Sequence, residues 1–142
     1  MEYLFIVALT FSIIIPTAYL FYSYSRESGQ QIADSQIQQL GANIIDAAQS
    51  IYYSGQGSRT ELQTNVPDGI DSVMIMDGKE LVFNLSTEYG VSEIVFFSSI
   101  NITAVQSDCA LNYCKLPGLA SPGLRKIKIE AITKDSVEIE TI

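Results

Sequence analysis

The stretch Tyr3–Ser25, YLFIVALTFSIIIPTAYLFYSYS, carries no charged residue and lies between Glu2 and Arg26. About 20 consecutive apolar residues in a helix cross a hydrocarbon core, so this run is long enough to span a membrane. A secretory signal has a basic start, a shorter apolar core and a small-residue cleavage site. Here Glu2 stands where the base belongs and the run is too long. A permanent anchor or a packing helix is expected instead. Arg26, taken alone, would hold the C-terminal part in the cytoplasm, but one charge is too little to set an orientation. Pro16 lacks an N–H and is expected to kink or loosen the helix. Tyr19, Phe21, Tyr22 and Tyr24 crowd the far end, as an interfacial belt or as packing surface in a fibre.

Glu2 has two readings. An acid in the first turn suits the helix dipole, worth roughly 0.3–1 kcal/mol. Alternatively, its carboxylate pairs with the α-amine of a neighbouring subunit and fixes axial register, since an uncompensated charge in an apolar bundle is costly.

No Gly-Pro break follows the run. Ile37, Leu40, Ile44, Ala48 and Ile51 recur at spacings of three and four, the helix period. Gly41, Ala42, Ala47 and Ala48 are small enough to admit close approach of another helix. The opposite face is Gln-rich: Gln30, Gln31, Gln36, Gln38, Gln39 and Gln49. One helix over roughly residues 3–53 is expected, stopped by Gly55-Gln-Gly57. The C-terminal half is expected to lie on the chain's own β domain.

Beyond Gly57 the period changes to two. Strands are expected at Arg59–Val66, Ser72–Met76, Glu80–Leu85, Val91–Phe97, Ile100–Val105, Leu124–Ile132 and Ser136–Ile142. Asp77-Gly78 marks a hairpin turn. The loop Thr133–Asp135 sets Ile129 opposite Ile139 and Lys128 opposite Glu140, and it also opposes Glu130 and Glu138, an unfavourable pair. Gln106–Gly123 reads as a long loop, a length that is usually functional or disordered. The expected fold class is α+β: a long N-terminal helix with an apolar first half, then a small, mostly antiparallel β head. The division is residues 1–55 for the helical stalk and 56–142 for the head.

Composition narrows the function. The 142 residues carry 16 acids against 8 bases, a net charge of −8, so phosphate-backbone binding is disfavoured and no nucleic-acid partner is expected. There is no His and no Trp. The commonest general base and zinc ligand is therefore missing, no nucleophile–base pair can be named, and neither an enzyme nor a cofactor or metal site is expected. Asp68, Asp71, Asp77 and Glu80 lack a calcium-ligand spacing and read as turn chemistry. Cys109 and Cys114 are five apart. A disulfide and two buried thiols are both open, and a β domain outside the cell favours the disulfide. Such a loop would contribute about 2 kcal/mol. Asn84-Leu-Ser86 and Asn101-Ile-Thr103 are N-glycosylation sequons, so glycans are expected on Asn84 or Asn101.

The order of parts, an N-terminal acid, an uncharged run, an amphipathic continuation and a β head, resembles a type IV pilin. The start, Glu2-Tyr3-Leu4, looks like the archaeal pilins with class III signal sequences. In that family a short basic leader is cut before a Gln, and a Glu follows a few residues later. Glu2 stands in that place without the Gln and Ser that the family pattern puts before it. The resemblance implies a filament with packed N-terminal helices inside and β heads outside; by the readings above, Glu2, Pro16 and Gly41 are its candidate assembly residues. It implies self-association into a helical homopolymer, with the subunit in the cell membrane before assembly and an adhesive or attachment role after it. The alternative is a single-pass anchored surface protein, or a minor pilin, whose β head binds a partner.

Overall fold

The computed structural model describes residues 2–87 and 90–142, with their side chains except those of residues 26–31. The readings made for the side chains of Arg26, Gln30 and Gln31 lie outside that set. The fold is α+β. Among the described residues one α-helix, α1 (Glu2–Ser54), precedes nine strands. The chain divides into two compact units, Met1–Asp34 and Ser35–Ile142.

Within the first unit α1 opens on Glu2, an acid at the positive end of the helix dipole. The helix continues through Pro16. That proline withdraws the donor that the Ser12 carbonyl would otherwise meet.

The second unit begins within α1. Ile37, Leu40, Ile44, Ile45, Ala48 and Ile51 are buried in a shared core with both sheets. Full burial of an Ile or Leu contributes about 1.5–3 kcal/mol, so this half of the helix is held by packing. The glutamine face is outward at Gln36, Gln38 and Gln39, and Gln49 donates to Ser99 Oγ at 3.2 Å. The helix ends where Gly55 takes a left-handed φ of 98° and its N–H bonds to Tyr52 O at 3.2 Å.

The strands are β1 (Arg59–Val66), β2 (Ile70–Met76), β3 (Glu80–Thr87), β4 (Gly90–Phe97), β5 (Asn101–Ala104), β6 (Cys109–Ala110), β7 (Tyr113–Lys115), β8 (Gly123–Ala131) and β9 (Ser136–Thr141). They form a four-stranded sheet, β1-β8-β9-β5, and a five-stranded sheet, β4-β3-β2-β7-β6. All pairings are antiparallel except β5 with β9. The seven expected strands are present within one or two residues at most ends. Asp77 and Gly78, at φ 50° and 68°, make the β2–β3 turn, closed by Lys79 N–H to Met76 O at 3.1 Å.

The C-terminal hairpin has the expected register, Ile129 on Ile139, Lys128 on Glu140 and Glu130 on Glu138. The like-charged pair is tolerated because Lys128 Nζ lies 3.0 Å from Glu130 and 3.3 Å from Glu140. Arg59 of β1 is also the cross-strand partner of Glu130.

The stretch Gln106–Gly123, expected as a loop, carries structure of its own. β6 and β7 form a two-residue hairpin around Leu111-Asn112, and β7 adds to β2. A 3-10 turn, Pro117–Ala120, buries Leu119.

Candidate functional site

Two features carry chemistry: the apolar helix of the first unit and the cross-linked corner of the second.

Within Glu2–Ser25 an 18-residue stretch of the helix has a mean hydropathy of 2.2, and none of that stretch is buried. By length and composition it fits a membrane-crossing or signal segment. Its two threonine hydroxyls are turned back onto the helix. Thr10 Oγ donates to Val7 O at 2.8 Å, and Thr17 Oγ reaches Ile13 O at 2.8 Å and Ile14 O at 2.9 Å. A hydroxyl paired to its own helix backbone can enter an apolar medium without an unmet hydrogen bond. The large side chains are exposed, from Val7 at 49 % to Tyr3 at 85 %. Such a surface needs lipid or protein to cover it.

Gly41, expected to admit a second helix, is occupied within its own chain. It is buried, and a Cβ built on it would run into the Phe96 ring of β4. The small residue is there to let the β4 side of the sheet close on α1.

The second feature is a cleft of about 760 Å³ at the corner where the Asp77-Gly78 turn, β5 and the β6–β7 hairpin meet. Cys109 and Cys114 form a disulfide that staples the two hairpin strands directly across from one another. It is consistent with a non-cytoplasmic location. Thr103 Oγ lies 3.8 Å from Cys114 Sγ, which ties the staple to β5. Asn101, Asp77 and Glu138 also line the cleft. Compared with known proteins, the chain matches no family model, no curated protein and no solved structure.

The sequons sit in different settings. Asn101 is exposed at the start of β5, an edge strand. Asn84 lies inside β3, where its Nδ2 donates to Ser72 Oγ at 3.1 Å and its Oδ1 is buried without a partner. A glycan acceptor must face solvent, which the Asn101 side chain does, whereas the Asn84 amide is held within the sheet. Of the acids considered for calcium, Asp71 accepts a bond from Ser86 Oγ at 2.6 Å. No group of three or more metal-ligating side chains forms among the described residues. Hydrogen bonds to Glu130 and then Glu140 hold the Lys128 ammonium above its ordinary value of 10.5.

β6 and β7 escaped the sequence reading. The signal that marks them is the pair of cysteines flanking Ala110–Tyr113, a spacing that suits a short hairpin.

Proposed function

We propose that this chain is the structural subunit of an extracellular filament of the type IV pilus kind. It would sit in the cell membrane before assembly and be withdrawn into a fibre core through its N-terminal helix. The observation that carries this reading is an uncharged helix surface, Tyr3–Ser25, left uncovered by its own chain. In a polymer each copy covers the next, and removal of that surface from water contributes about 25 cal/mol per Å² of apolar area. A heterologous contact of this sort does not close on itself and so propagates into a helical fibre. Glu2, at the tip of the uncharged run, is the group that sets axial register by pairing with a neighbour's amine. An adhesive or attachment role belongs to the β heads on the outside.

Glu2→Leu tests the reading. The variant is expected in the membrane fraction at normal amount, with few or no filaments. Normal filaments from Glu2→Leu would remove Glu2 from the assembly role.

One observation favours a second reading, a single-pass anchored surface protein. Gly41, which close helix packing between subunits called for, is used inside the chain against Phe96. An anchor needs only the first 24 residues of the helix, Glu2–Ser25.

A further inference from the structure

We propose that β4 is a docking edge for the β4 of a second copy, the two strands pairing antiparallel about a two-fold axis through Ile94. β4 is terminal in its sheet, with β3 as its neighbour on one side. Just past its end, Ser98 N–H donates to Lys79 O at 2.7 Å, so this position is a hydrogen-bonded pair of the ladder. Alternation along an antiparallel ladder then turns the main chain of the even-numbered residues toward β3. The N–H and C=O groups of Val91, Glu93, Val95 and Phe97 turn to the open side. No strand among the described residues pairs there.

Free edges are ordinarily blunted by Lys, Pro, a bulge or a very short strand. β4 contains no Lys and no Pro, carries Glu93 as its one charge, and keeps its register with β3 without a shift. It also presents apolar side chains: Val91 is 69 % exposed, Phe97 73 % and Val95 38 %. The inner face, Ile94 and Phe96, packs on the core.

The sequence GVSEIVFF selects one self-pairing. With the axis at Ile94, Val91 opposes Phe97 of the second copy and Glu93 opposes Val95. Outer residues meet outer residues, and each opposed odd-numbered pair exchanges the outward N–H and C=O groups. An aromatic over a β-branched residue is a favourable cross-strand pair. With the axis at Glu93, the two carboxylates would face each other, which is destabilising. With the axis at Val95, Val91 would extend past the partner strand. Charge and shape therefore agree on Ile94.

One strand pair buries less than the 1,200 Å² or so that a stable dimer in dilute solution needs. Two copies held in one membrane or fibre meet at a far higher effective concentration. The proposal does not rest on the filament reading. Dimers without filaments would uphold it alone, and filaments without β4 pairing would uphold the filament alone.

The test is disulfide trapping in the full chain, embedded in membranes under mild oxidation and read on non-reducing gels. The double variant Glu93→Cys/Val95→Cys is expected to give a covalent dimer, because these positions oppose one another across the axis. Glu93→Cys alone reports an axis at Glu93, and Val95→Cys alone an axis at Val95; neither is expected to cross-link. Adding Phe97→Pro to the double variant removes an outward donor while sparing the β3 ladder. Loss of the dimer band with an unchanged melting temperature is the expected result. No dimer from the double variant, equal cross-linking by a single variant, or a band that survives Phe97→Pro would overturn the proposal.

Discussion

Gly41 has no room for a side chain. The Phe96 ring occupies the space where a Cβ would go. Gly41→Leu is therefore expected to destabilise the head by about 1–3 kcal/mol through overpacking. A denaturant midpoint in detergent equal to that of the parent chain would contradict this. The sequence revealed that a small residue sat on the helix, but not against what it packed. A stripe of small residues announces close approach without naming the neighbour, and here the neighbour is an aromatic far along the chain. The sequons carry a similar lesson. Both match the pattern, yet Asn84 Nδ2 is already bonded to Ser72 and its Oδ1 is buried. Glycopeptide mass spectrometry of protein from its native source is expected to find sugar on Asn101 and none on Asn84; a modified Asn84 would contradict the placement.

The β6–β7 hairpin is held by its disulfide and by its pairing with β2. Its strands are two and three residues long, too short for an alternation of polar and apolar side chains to show. That is why the segment read as loop, whereas β1, β8 and β9, each of six or more residues, were legible from their period. The same alternation, with the short turn at Thr133–Asp135, revealed the β8–β9 register. How Glu130 is accommodated was only half legible: Lys128 lies two residues away on the same face of β8, whereas Arg59 comes opposite it only when β1 pairs with β8. Replacing both cysteines by Ser is expected to lower stability by about 2 kcal/mol, the loop-closure contribution of a short cross-link. Chemical denaturation of the parent chain with and without reductant measures the same quantity. Equal midpoints in the two conditions would show that β2 pairing alone holds the hairpin.

Across the chain, the sequence showed an apolar segment and a β-rich head, and the structure keeps both while drawing the last turns of α1 into the head's core. Ile37, Leu40 and Ile44 are fully accounted for by that core. Tyr3–Ser25 is not, since nothing among the described residues buries it. Unless removed as a signal segment, it would be covered by lipid, by other copies, or by first one and then the other. The filament reading requires the last of these. Electron microscopy of the full-length parent protein, purified in detergent and then freed of it, separates the possibilities. The filament account predicts helical fibres with the helices of Tyr3–Ser25 packed in the core and β heads outside. Protein that stays a dispersed detergent-soluble species, or only inserts singly into added vesicles under every condition tried, would contradict it.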